Sequence, residues 1–279
     1  MAKTVDLRNI IEETETLSEI ASAYTEMSEM KIKQIRAAYE LNARFYIEIT
    51  YIYQHLMLTA ANRKLLPPEG ESKELRVAIT SNQRFFGTMN LDVIDTFESD
   101  SATKIADRIV VGATGREHYQ AQNNHSIKEF IQFKRDNPDP EEITDLLTRF
   151  REYDKVFLYF PRFVTLLRQE TGVIDITYKP EAHQMEGIDL DFIFEPELPD
   201  ILDFFNTQVR TILFNRTMIE TDLARTASRM LSMSGAHERA QFQIKNQRQQ
   251  LDKRARLIRN AQLLETVAGM RSMQKWYKV

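Results

Sequence analysis

The residues that come nearest to chemistry are Gly112-Ala113-Thr114-Gly115-Arg116, at the end of the strand-like run DRIVVGA (107–113). A glycine turn between a strand and a helix can cradle a phosphate with backbone N–H groups. This turn lacks the spacing and the Lys-Ser/Thr pair of a P-loop, and it has only two of the glycines of a dinucleotide-binding fold. A plain turn is the simpler reading. The five histidines (His55, His118, His125, His183 and His237) form no pair at the spacing of helical metal ligands. No nucleophile stands beside a base, and no pair of acids is set apart. The absence of cysteine removes thiol chemistry, disulfides and thiolate metal sites. Nothing here argues for catalysis by this chain, and no cofactor or metal is implied.

A second chemical feature is the basic run Lys245, Arg248, Lys253, Arg254, Arg256 and Arg259. Such a run can neutralise phosphates. It has no interleaved aromatic beyond Phe242, and the chain carries a net charge of −4, so nucleic acid is not the expected partner. A helix face turned toward a protein is the reading adopted.

The elements that must position these residues follow from the helix breakers. All eight prolines lie between Pro67 and Pro199, and no glycine precedes Gly70. Proline costs a helix interior about 3 kcal/mol, so long breaker-poor ends around a breaker-rich middle predict two long helices around a compact domain. In the first segment Leu7, Ile10, Thr14, Leu17, Ile20, Tyr24 and Met27 step by three and four. The stripe slips near Lys31 and resumes through Phe45, Ile49, Ile52 and Leu56. This predicts a narrow coiled-coil-like seam with one discontinuity, ended by Pro67-Pro68. A helix of ~60 residues is ~90 Å long, too long for one globular core.

The middle reads as alternating strands (75–80, 107–113, 155–160) and helices such as 141–153, which predicts an α/β layer. Phe192-Ile193-Phe194 is a further strand-like piece. From about Asp200 the helical period returns. Beyond Ala240 the helix is polar on most faces, with only Ile244, Leu251, Ala255 and Ile258 as a thin seam, so it requires an outer partner. Residues 1–30 carry seven acids against two bases, a net of −5; residues 241–279 carry nine bases against two acids, a net of +7. Opposite charge suits helices that pair antiparallel. Each exposed pair contributes only roughly 0.2–1 kcal/mol. The expected fold class is α/β plus coiled coil: an antiparallel coiled coil of residues 1–66 and 205–279 around a Rossmann-like α/β domain at 67–204.

On several blocks the chain resembles the gamma subunit of F-type ATP synthases. Asp6-Leu7-Arg8 with Ile11 is similar to the opening of that family's first helix, and Ile20, Ala23 and Lys31 fall at the spacing of its next segment. AITSNQRFFGTMN (78–90) resembles its signature strand and turn, with Ile79, Thr80, Ser81, Gly87 and Asn90 retained. IVVGATGREHY (109–119), EYDKVFLYFPRFVTLLRQ (152–169), Glu195-Pro196, ASRMLSMSGAHERA (227–240) and LLETVAGM (263–270) resemble further family blocks in order. There are departures. Asn82, Gln83 and Arg84 replace the family's Asp-Arg-Gly, and Arg225 stands where a glutamate is expected four residues before Arg229.

The resemblance implies a noncatalytic rotor shaft. Its partners would be a ring of alpha and beta subunits, the epsilon subunit (with delta a further candidate) and the membrane c-ring. It implies coupling of ATP synthesis or hydrolysis to proton transport, at the cytoplasmic face of a bacterial plasma membrane. Lys245, Arg248, Lys253, Arg254, Arg256 and Arg259 are the expected contacts with the ring. The departures keep open an F-type-like ATPase that drives another machine. A coiled-coil scaffold and a small α/β enzyme are the remaining alternatives.

Overall fold

The computed structural model describes residues 2–62, 73–101, 106–122, 126–177 and 198–276. In chain order the elements are α1 (Ala2–Asn62), β1 (Glu74–Ile79), α2 (Met89–Ser101), β2 (Asp107–Val111), α3 (Ala113–Ala121), β3 (Glu129–Ile131), α4 (Pro140–Phe150), β4 (Lys155–Phe163), β5 (Gln169–Asp175) and α5 (Leu198–Trp276). The expected stop at Pro67-Pro68, the strand-like 192–194 and Glu195-Pro196 lie outside the described residues. The chain forms two compact units, one of Met1–Met27 with Ser232–Val279 and one of Ser28–Leu231.

In the smaller unit α1 and α5 run antiparallel. Arg248 pairs with Glu15, while Gln241 Nε2 donates to Ser18 Oγ over 3.0 Å. His237 Nδ1 sits 3.0 Å from both the carbonyl and the hydroxyl oxygen of Ser18. The residues α1 buries in this unit are Ile11, Thr14, Ser18 and Ala21. In the larger unit it buries Ser28, Tyr53 and Leu56, with Ile32, Ile35, Tyr39, Tyr46 and Ile49 half-buried between them. With Leu7, Thr25 and Asn42, these positions alternate steps of four and three without a break, a mean spacing of 3.5 residues along one face of α1.

The expected slip near Lys31 is therefore corrected. Ile10, Leu17, Ile20, Tyr24 and Met27 belong to an outer face; Leu17 is 63% and Met27 59% exposed. Following the largest apolar residues selects the wrong stripe. The seam uses small side chains that bring the facing helix within reach of Ser18. On α5, Ile244 is buried and Leu251 and Ala255 are half-buried, while Ile258, expected in the seam, is exposed.

The larger unit is built on a mixed sheet in the order β3-β2-β1-β4-β5. β1 pairs parallel with β2 and with β4, β3 pairs parallel with β2, and β5 is antiparallel to β4. Side chains alternate across the sheet. Leu75, Val77 and Ile79 of β1 face a core completed by Phe150 of α4, Tyr53 of α1, and Val209, Leu213, Phe214 and Met218 of α5. Ala78 faces a second core with Val93, Ile94 and Phe97 of α2 and Tyr119 of α3. α4 starts where the sequence requires. Pro140 is at its first position, and Glu142 accepts from the backbone N–H of Asp139 at 2.9 Å. Phe150 and Phe214, ring centroids 6.4 Å apart, join α4 to α5. The strand pattern of the sequence does not announce β3 or β5. β3 has three residues, and β5 is an edge strand interrupted by Gly172.

Candidate partner surface and the closed phosphate crevice

The turn at Gly112–Gly115 opens α3 at the carboxyl end of the parallel strands, where open α/β sheets bind ligands. The chain itself occupies the donors of that helix start. Gly112 N–H donates to Ile131 O at 2.8 Å, Ala113 N–H to Asn82 Oδ1 at 3.0 Å, Thr114 N–H to Ser81 O at 3.0 Å and Gly115 N–H to Thr80 Oγ1 at 3.0 Å. Gly112 has φ +104°, and a Cβ there would lie 2.4 Å from Thr80 O. The glycine serves close approach of two loops, and no backbone donor of this turn is left for a phosphate.

The same crevice is sealed from α5. Arg225 is buried, and its guanidinium donates to Thr80 O at 2.7 Å and to Asp136 O at 3.1 Å. Ser228 Oγ donates to Phe86 O at 2.7 Å. Arg229 lies over the Phe86 ring, 4.5 Å from its centroid, and donates to Gln83 Oε1. Asn82 binds the loops together by donating to Phe133 O and accepting from Ala113. Desolvation lowers the pKa of Arg225, opposed by Asp136 and Asp222. From the sequence, Arg225 stands out only as a like charge near Arg229. Its role as a plug between two loops leaves no sign in the local pattern.

Of the histidines, His118 lies 3.0 Å from Gln122 Nε2 and His237 is spent on Ser18. The side chains of His55, His125 and His183 lie outside the described residues. Among the described residues no group of three or more His, Asp or Glu could hold a metal ion.

The basic residues behave unequally. All six lie on α5. At 100° per residue, Lys245, Arg248, Arg256 and Arg259 share an arc of about 80°, with Asp252 inside it; Lys253 flanks the arc and Arg254 points the opposite way. Lys245, Arg248, Lys253, Arg256 and Arg259 are exposed, whereas Arg254 is half-buried beside the seam. Arg248 reaches across to Glu15 of the facing helix. Arg259 Nε donates to Ala255 O at 3.4 Å in its own helix. Of the opposite end charges, Arg248 and Glu15 meet in an ion pair. From Arg256 to Met270 every α5 side chain is exposed, including Leu257, Leu263, Leu264, Val267 and Met270. Among the described residues no helix is long and apolar enough to cross a membrane.

Comparison with known proteins gives a single direction. Residues 3–273 match the family model described as ATP synthase. The ATP synthase gamma chain of Dictyoglomus thermophilum is 25% identical over 84% of this chain and 86% of its own length. That of Desulforamulus reducens is 23% identical over 98% of this chain and all of its own. Among solved structures, a chain of the central stalk/c-ring of Tetrahymena thermophila mitochondrial ATP synthase aligns with a TM-score of 0.60 at 17% identity. That alignment covers 78% of this chain and 99% of that one. At this identity the structural match speaks for the fold.

Proposed function

The chain belongs to the ATP synthase gamma-subunit family, and from that premise we propose that it is the noncatalytic shaft of a proton-coupled rotary ATPase. On this reading residues 1–66 and 205–279 form an antiparallel coiled coil inside a ring of alternating alpha and beta subunits. Residues 67–204 form a Rossmann-like domain that meets the epsilon subunit and the membrane c-ring. The strand order β3-β2-β1-β4-β5 supports the Rossmann likeness. The protein is peripheral, at the cytoplasmic face of a bacterial membrane. The mechanism is differential contact. An asymmetric rod presents a different face to each catalytic subunit and shifts each between conformers of a two-state equilibrium.

The observation that carries the proposal is the far part of α5, where a basic face and an apolar run are both exposed on one long helix. A monomeric soluble protein seldom leaves such a surface uncovered. Lys245, Lys253, Arg256 and Arg259 are the informative contacts, because Arg248 already pairs with Glu15 and Arg254 is half-buried. The test is charge reversal of these four in the reconstituted alpha–beta–gamma complex. ATP hydrolysis and torque fall while the melting of the isolated chain is unchanged; unaltered hydrolysis and torque reject the assignment.

A second reading keeps the shaft and changes its load. It is motivated by the departures from the family pattern, among them Arg225, buried where the resemblance leads one to expect a glutamate. Gentle purification separates the two: a co-purifying proton-conducting sector supports the first, and a ring complex without one supports the second.

A further inference from the structure

Within the larger unit, α4 and α5 leave a groove of about 240 Å³ lined by Thr144, Thr148 and Arg151 from α4 and its C-terminal end, and by Thr207, Arg210 and Thr211 from α5. We propose that this groove binds a small oxyanion, held between the guanidinium groups of Arg151 and Arg210. Its residues are separate from the basic set proposed to face the ring.

Three features of the groove point to an anion. Arg210 is half-buried, and its Nε is enclosed with no hydrogen-bond partner among the described residues. A guanidinium enclosed this far without a counter-charge costs stability. Next, burial lowers the pKa of the Arg210 guanidinium, Tyr53, Asp175 and Asp154 oppose it, and Arg151 adds a smaller like-charge effect. Among the described residues no carboxylate lies within ion-pairing distance of either arginine. Two guanidinium groups line one groove with no carboxylate bonded to either, an arrangement that a small anion would complete.

The threonines then narrow the ligand class. The hydroxyl of Thr144 donates to Pro140 O at 2.9 Å, that of Thr148 to Thr144 O at 2.8 Å, and that of Thr211 to Thr207 O at 2.9 Å. Their protons are turned into their own helices, so they offer the groove methyl groups and lone pairs. The donors remaining are the Thr207 hydroxyl and the guanidinium N–H groups, whose planar fork matches phosphate or carboxylate oxygens. A groove of 240 Å³ is below the usual ~300–1,000 Å³ of drug-sized ligand pockets, so it suits an anion of a few heavy atoms rather than a nucleotide. It also crosses the last turn of α4, whose dipole end disfavours negative charge. That weakens the binding the two guanidinium groups can give.

Inorganic phosphate and acetate are the two probes, because phosphate and carboxylate share the required chemistry. The full chain is titrated with each at constant ionic strength, with chloride as the control, and followed by backbone amide shifts. The expected result is saturable movement at Thr144–Arg151 and Thr207–Thr211 with phosphate, acetate or both, the stronger probe naming the natural source. Arg210→Gln weakens binding by about tenfold. Arg151→Gln, at an exposed position that leaves the core untouched, weakens it by about three- to tenfold. The proposal fails if both probes move these amides no more than chloride does, or if Arg151→Gln binds as tightly as the parent chain.

Discussion

Arg225 Nη2 on α5 donates to the carbonyl oxygen of Thr80 across 2.7 Å, tying the longest helix of the chain to the end of its central strand. A second donor of the same guanidinium reaches Asp136 O. Replacing Arg225 by Ala strands the buried Thr80 carbonyl and removes the half-buried bond to Asp136, at a cost of about 2–4 kcal/mol. Urea unfolding of the variant should show a lower midpoint with an unchanged slope. Arg229→Ala, which loses a cation–π contact with Phe86, should cost only about 0.5–1 kcal/mol.

Gly112 and Gly269 give opposite outcomes for one substitution. At Gly112 the φ of +104° and the 2.4 Å approach to Thr80 O leave no place for a methyl group. Gly112→Ala should destabilise by about 1–3 kcal/mol from the backbone alone, with the steric contact adding to it. Gly269 lies inside α5, and a methyl group there would have nothing within 4 Å. Gly269→Ala should therefore stabilise the helix by up to about 1 kcal/mol. Thermal unfolding of the two variants decides both signs.

The register of α1 predicts a second contrast. Ala21 is buried in the seam, whereas Leu17 is 63% exposed. Ala21→Leu should force the helices apart and cost about 1–3 kcal/mol. Leu17→Ala should change the isolated chain by less than about 0.5 kcal/mol. If hydrogen exchange in residues 7–25 responds more to Leu17→Ala than to Ala21→Leu, the register is wrong.

Asp107 supplies a pH dependence. Hydrogen bonds from Lys128 and then Tyr153 hold its carboxyl below the ordinary carboxylate pKa, burial opposing them. A carboxyl with a depressed folded-state pKa contributes stability above its unfolded value, about pH 3.9, and loses it as pH falls through the folded value. The parent chain should therefore exceed Asp107→Asn in stability at neutral pH, with the gap closing below about pH 4. Denaturation midpoints measured from pH 7 to pH 2 test this.

The parts of the fold legible in the sequence are those with an unambiguous period. β1, β2 and β4 are flanked on both sides in the sheet, so they read as apolar runs. β5 pairs on one side only and exposes Val173, so its pattern is too polar to stand out. The seam of α1 is hidden because Ser18, Thr25 and Ser28 do not look like core residues, although their spacing is regular. The grouping of Lys245, Arg256 and Arg259 follows from helical geometry alone. The inward set of Arg254 and the pairing of Arg248 with Glu15 depend on where the facing helix lies, which the one-dimensional pattern does not contain. The groove at Arg151 and Arg210 joins residues far apart in the chain, and neither is conspicuous by itself.

The polar fastening at Arg225 and Ser228 has a mechanical consequence. Apolar ridges can slide past one another by rotamer changes, but hydrogen bonds near 2.7 Å weaken steeply once stretched or bent. The bonds to Thr80, Asp136 and Phe86 therefore act as a key in a keyway. They would resist a twist of this part of α5 relative to the loops that follow β1 and β3.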